Sequence, residues 1–201
     1  MVKTYANPDG RFDELFAGKG VPRAHWSRLY STLAKATADE IGAMRVAAER
    51  QIRESGVTYN VYADPKGHDR PWDLDVLPFI IDSQEWQVLE AGIAQRATLL
   101  NRILGDLYGP QLTMREGLIP PPLVFSHGGF LRPAHGAAVP GDVHLHIYAA
   151  DLARSPDGRW WVMNDRTQAA SGAGYALENR LLVSRTFPKL YRDMRVQHLA
   201  R

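Results

Sequence analysis

From Asp82 to Leu107 the apolar residues Trp86, Leu89, Ile93, Ala97, Leu100, Leu104 and Leu107 recur at spacings of three and four. That is the repeat of one face of an α-helix, and the segment would be roughly 38 Å long. Asp82 is placed to cap its N-terminus, with Glu85 three residues on as the return partner of a capping box. Gly109-Pro110 ends it. A helix of this length with one apolar stripe dictates a layered fold in which the stripe, Trp86 included, is covered.

Around it the pattern alternates between helix and strand. Residues 1–24 carry Pro8, Gly10, Gly18, Gly20 and Pro22 and form an irregular lead-in with one helical turn near Asp13–Phe16. From His25 to Glu54, Leu29, Leu33, Ile41, Met44, Ala48 and Ile52 share a helical face, and Gly56 stops it. Val57–Tyr62, β-branched and aromatic, reads as a strand, and Asp64–Pro78 as a loop. Pro120–Pro122 leads into Leu123–Phe125, expected as a short buried strand. Helices are expected again over Tyr175–Ser184 and Pro188–Leu199.

Val143, Leu145 and Ile147 alternate with polar residues, and Arg159–Met163 is a second strand, so Val143–Asp165 reads as a hairpin around Ser155-Pro156-Asp157-Gly158. A three-residue loop with a left-handed Gly158 pairs Ser155 with Arg159. Counting back, Asp151 faces Met163 and Ala149 faces Asp165. Asp151 and Asp165 then lie diagonally on one face, about 7–8 Å apart, close enough to flank a hydrated cation. A slip of one residue would put them on opposite faces.

Composition excludes several classes. Hydrophobic residues make up 45% and charged residues 23%, which suits a globular chain with a real core. No run approaches the ~18 apolar residues of a membrane span, and the N-terminus has no apolar signal region. Cysteine is absent, so there is no thiolate chemistry, and a cytoplasmic location is expected. The net charge is only +2 and the basic residues are scattered, mostly arginine. Nucleic-acid binding needs a clustered basic patch, whereas arginine forks suit carboxylates and phosphates.

The run from Tyr148 through Asp151, Arg154, Gly158, Val162, Asp165-Arg166 and Ser171-Gly172 to Tyr175 and Glu178-Asn179-Arg180 resembles the circularly permuted ATP-grasp proteins of type 2. These are distant relatives of glutathionylspermidine synthetase and eukaryotic glutathione synthetase. Gly56–Tyr62, Arg70-Pro71-Trp72, Leu107–Pro110, Gly129–Pro133 and His25-Trp26 carry the same likeness upstream. The resemblance implies an α/β fold, a largely antiparallel sheet flanked by helices, forming part of a permuted ATP-grasp architecture over residues 25–201. It implies ATP and Mg2+ as cofactors, and small-molecule carboxylate and amine substrates joined through an acyl phosphate.

On this pattern Asp151 and Asp165 are the metal acids. Arg166 and Arg180 act on phosphate or substrate, and Ser171, Gly172, Glu178, Asn179 and Arg132 contact substrate. The triplet Asn164-Asp165-Arg166 departs from the family's Glu-Asp-Asn: one carboxylate remains, and Arg166 could contact phosphate in a metal's stead. The nucleotide-clamping segment comes later in such proteins and is absent before Arg201. A complementary C-terminal portion is therefore expected, with an exposed apolar surface where it docks. A second reading is a non-catalytic binding or assembly module that pairs with a separate chain. A third sets His144 and His146 on one strand face as zinc ligands, completed by His127 or His135. Ser171 lacks the Gly-x-Ser-x-Gly elbow of a serine hydrolase.

Overall fold

A computed structural model describes residues 10–18, 20–56, 58–59 and 70–199. In chain order its elements are β1 (Phe16–Gly18), β2 (Val21–Pro22), α1 (Ser27–Lys35), α2 (Ala38–Ser55), β3 (Thr58–Tyr59), β4 (Arg70–Pro71), α3 (Ser83–Leu107), α4 (Leu112–Arg115), α5 (Pro121–Phe125), β5 (Ala149–Arg154), β6 (Trp160–Arg166), α6 (Ala173–Thr186) and α7 (Pro188–Asp193). The fold mixes helices with small sheets, and every strand pairing among the described residues is antiparallel: β1 with β2, β3 with β4, β5 with β6. No described helix is long and apolar enough to cross a membrane. The chain divides into two compact units, one of residues 1–81 with 171–201, the other of residues 82–170.

In the first unit, the single helix expected over residues 25–54 is two. Thr37 caps α2: its hydroxyl accepts from Glu40 N–H, and the Glu40 carboxylate accepts from Thr37 N–H at 2.7 Å. This capping box fixes Thr37 in an extended conformation, and helix cannot continue through such a residue. Gly56 ends α2 with φ 68°, a left-handed conformation that glycine adopts without a Cβ penalty. The turn expected at Asp13–Phe16 is the approach to the β1–β2 ribbon. The Asp13 carboxylate accepts from Leu15 and Phe16 N–H, both at 2.9 Å. Of the expected strand over residues 57–62, only Thr58–Tyr59 falls among the described residues, paired with β4. Among the described residues of this unit, Leu29, Ala48, Ile52, Val76, Leu182 and Phe187 are the buried apolar ones, and α2 packs on α6. The last helix stops at Asp193, before Arg195 takes a positive φ of 51°.

In the second unit, α3 appears as the stripe requires, with Asp82 accepting from Gln84 N–H. Leu89 is buried and Ile93, Ala97, Leu100, Leu104 and Leu107 are half-buried, but Trp86 is 40% exposed, so the stripe is uncovered at the first turn. Leu123–Phe125 belongs to helix α5, not to a strand. Pro121 stands at the start of the helix, where proline's fixed φ is pre-organised and its missing N–H is no loss. Val143–Tyr148 is not strand either. His144 and Leu145 give their backbone N–H groups to Asn101 Oδ1, each at 2.8 Å, and with those donors engaged by α3, ladder pairing begins only at Ala149.

Candidate functional site

The hairpin turn forms as its residues require. Gly158 has φ 86°, Gly158 N–H donates to Ser155 O at 2.9 Å, and Ser155 N–H donates to Arg159 O at 2.9 Å. Pairing runs regularly from Arg154 opposite Trp160 to Leu152 opposite Val162, and there it shifts. Asp151 faces Asn164, Ala150 faces Asp165, and Ala149 faces Arg166. Met163 is the extra residue of a β-bulge, which bends the strand and advances its alternation by one. Asp151 and Asp165 are therefore on opposite faces of the ribbon. The expected shared face fails through the bulge, not through the turn.

The inner face lies on α3. Asp165 takes two guanidinium bonds from Arg96, Nε at 2.6 Å and Nη2 at 2.7 Å, and one from the Tyr148 hydroxyl at 2.5 Å. These bonds, Arg96 first, hold its carboxyl down at about 2. Burial, and the bond to Asp165 next, raise the Tyr148 phenol. Towards the turn the polarity reverses. Arg154 forks onto Glu85 at 2.6 and 2.9 Å, donates to Gly158 O, and lies 4.1 Å over the Trp160 ring. Trp160 Nε1 also reaches Glu85, at 3.1 Å. Two ion pairs of opposite sense thus lash the ribbon to the helix.

The usual carboxyl value of 3.8 falls to about 2 for Asp165 in the folded state. Its contribution to stability is complete above pH ~4 and is lost as the pH falls towards 2. Asp165→Asn is expected to be less stable at neutral pH and to lose less stability between pH 4 and 2. Acid titration of ellipticity measures both; an unchanged acid limb would show that the pair is not formed.

The outer face carries Asp151, Asn164 and Arg166. Arg166 places Nε 3.0 Å and Nη2 2.9 Å from Asp151 Oδ2, and Asn164 Nδ2 lies 3.3 Å from the same oxygen. Arg166, and Asn164 after it, lower the Asp151 carboxyl, and Asp151 in turn raises the guanidinium. The side chain of Arg166 is 57% exposed. Magnesium asks for one or two carboxylates with free oxygens and room for water. Here one acid is already engaged by an arginine and the other is on the far side of the ribbon. With the two acids on opposite faces and the exposed one held by a guanidinium, this donor set does not fit the ion.

Arg132 lies in the same unit, in a 3-10 turn with its guanidinium 5.5 Å from the Phe125 ring centre. The histidines are dispersed. His127 Nδ1 accepts from Gly129 N–H, His135 Nε2 bonds Gly109 O, and the His144 ring lies against Gly105, where a Cβ would meet it at 3.0 Å. With residues 143–148 not in strand, the shared face proposed for His144 and His146 does not exist, and the zinc reading has no geometry.

The remaining residues of the pattern are in the other unit. Gly172, with φ 104°, precedes α6, and its carbonyl accepts from Ala176 N–H at 2.9 Å. Ser171 is exposed and Glu178 half-buried. Asn179 Oδ1 accepts from Trp72 Nε1 at 2.9 Å, and the Trp72 ring stacks on Tyr175 at 4.5 Å. Arg180 donates to Gln197 O at 3.0 Å. Within this unit the Glu-Asn-Arg motif ties α6 to the Arg70-Pro71-Trp72 segment through Asn179.

Sequence reading gave no site role to Glu85, Arg96, Tyr148 or Trp72, although it named all but Arg96 for other reasons. A signal existed for the first two. Eleven residues bring a helix back to nearly the same side, about 16 Å along its axis. Four strand residues on β5 and five on the bulged β6 cover about 13 to 16 Å, so Glu85 and Arg96 match Arg154 and Asp165 in spacing and complement them in charge.

The model of the family described as circularly permuted ATP-grasp type 2 matches residues 78–201. An uncharacterized protein of Mycobacterium bovis is 38% identical over 195 residues, covering 93% of this chain and 22% of its own. One of Synechocystis is 36% identical over 191 residues, covering 95% and 40%, and one of Mycobacterium leprae is 37% identical over 186, covering 92% and 32%. The chain thus spans between about a fifth and two fifths of the length of these relatives. With a family match across the second unit, the hairpin and the Glu-Asn-Arg helix, this chain belongs to the circularly permuted ATP-grasp type 2 family.

Proposed function

We propose that this chain is part of an ATP-dependent carboxylate–amine ligase. In that reaction the γ-phosphoryl group passes to a substrate carboxylate, and an amine attacks the acyl phosphate, forming an amide and expelling inorganic phosphate. The observation that carries the reading is the exposed Arg166, held by Asp151 on the open face of the family's hairpin. A fixed guanidinium facing solvent suits the charge that builds on a transferring phosphoryl group. Arg180, Ser171, Gly172, Glu178, Asn179 and Arg132 are the proposed contacts to substrate. ATP is the proposed nucleotide; magnesium accompanies ATP in the family, and Asp151 and Asp165 do not hold it together here.

The test is amine-dependent release of phosphate from ATP, measured on the chain joined to the remaining portion of one of its longer relatives. Asp151→Ala and Arg166→Ala are each expected to lower ligation by about tenfold or more. Unchanged turnover in both would sink the assignment.

A non-catalytic assembly module is the second reading. It is favoured by Val88 and Leu99, exposed on α3 about 120–140° around the helix from the apolar stripe. ATP-independent pairing with a separate chain, lost in Val88→Glu and Leu99→Glu, would decide for it.

A further inference from the structure

We propose that Arg166 is the resident cation of the Asp151 face, filling the place beside that carboxylate where a divalent ion would otherwise sit, and that the face takes phosphate without a metal. The phosphate half of this inference rests on the ligase reading; the metal half does not.

The bulge carries the argument. With Met163 as the extra residue, Asn164 stands opposite Asp151 and Arg166 sits one diagonal away on the same side. A directly opposed pair has Cβ atoms about 4.5–5.5 Å apart, so whatever occupies position 164 decides what Asp151 shares. Here that residue is an amide, which donates a hydrogen bond to Asp151 and cannot add negative charge to a cation site. The second acid, Asp165, is bound on the inner face by Arg96 and Tyr148.

Arg166 then completes the substitution. Its Nε–Nη2 edge lies along Asp151, with Nε 3.2 Å from Oδ1 and both nitrogens within 3.0 Å of Oδ2. Both carboxylate oxygens are thereby engaged, and a metal would have to displace a charge-assisted contact to reach them. The other edge of the guanidinium, at Nη1, has no protein acceptor among the described residues. A planar fork can bind a carboxylate on one edge and a phosphate oxygen on the other. The Asp–Arg pair is electrically neutral, whereas an aspartate with a divalent ion carries one net positive charge. The face therefore selects phosphate by geometry more than by excess charge, and salt should weaken the contact only modestly.

Manganese, followed by electron paramagnetic resonance, is the probe for a divalent site. Wild type is expected to show no manganese uptake at millimolar ion that Asp151→Ala removes. The double variant Asn164→Glu, Arg166→Asn frees Asp151 and sets a second carboxylate opposite it, so manganese should bind at least tenfold more tightly than to wild type. That gain should vanish when Asp151→Ala is added. In a second arm, tripolyphosphate with a chelator present should raise the melting temperature of wild type and leave that of Arg166→Ala unmoved.

Manganese binding to wild type that is abolished by Asp151→Ala would overturn the proposal. So would a tripolyphosphate shift that requires a divalent ion. If the double variant does not fold, the comparison of wild type with Asp151→Ala still decides the metal half. None of these readouts depends on ligation, so the ligase reading can fail while the arginine assignment stands.

Discussion

Leu182→Ala is expected to lower folding stability by about 3 kcal/mol and the melting temperature by about 6 to 12 °C. Leu182 is only 1% exposed, on α6 where that helix packs on α2. The helix presents no other fully buried side chain. Removing the isopropyl group beyond Cβ costs its transfer energy and leaves a cavity between α2 and α6. Leu182→Met, which keeps the volume, should cost less than about 1.5 kcal/mol. Calorimetry of the three proteins gives the answer. A loss below about 1 kcal/mol would mean that the α2–α6 contact is not a core at all.

A second large effect is expected at Glu85, for an electrostatic reason. Glu85→Ala removes the bidentate acceptor of Arg154, a guanidinium whose side chain is only 9% exposed, together with the acceptor of the Trp160 indole. Losing a bidentate carboxylate partner costs a largely buried guanidinium far more than it costs an exposed one. The partial burial puts the expected loss at about 2 to 3 kcal/mol. Glu85→Gln retains the shape and one acceptor and should recover part of it. Amide exchange should quicken in β5, β6 and the first turns of α3, and not in α2 or α6. Quickening spread evenly over both units, or none, would count against the lash.

Much of this architecture was legible because certain residues leave the backbone little choice. The stripe of α3, the stop at Gly56 and the left-handed Gly158 each follow from local stereochemistry, and each appears where it was expected. The failures have another cause: a local pattern compatible with two structures, decided by residues outside the pattern. Leu123–Phe125 is apolar enough for strand or helix, and its prolines settled the choice. Val143–Ile147 alternates like a strand, but Asn101, more than forty residues upstream, takes its donors. At Thr37 the signal was in plain view, a Thr-x-x-Glu box inside a run that looked continuous. For the candidate site, the residue types were readable and the faces were not. Alternation can be counted from a turn only until a bulge intervenes, and Met163 is an ordinary strand residue with nothing to announce one.

Deleting a residue from a strand normally inverts every side chain beyond the cut. At Met163 it does not, because Leu152 already pairs with Val162 and Asp151 already pairs with Asn164 across it. This one position can be lost from the ribbon while Asp165 stays turned to Arg96 and Arg166 to Asp151; only the bend would relax. Loss of this single codon is therefore silent to both surfaces. Loss of Val162 or Asn164 would draw Met163 into the ladder in the missing place, and Asp165 and Arg166 would keep their faces. The bulge is thus a reserve of one residue, and only a second loss, or a gain, would turn Asp165 outward.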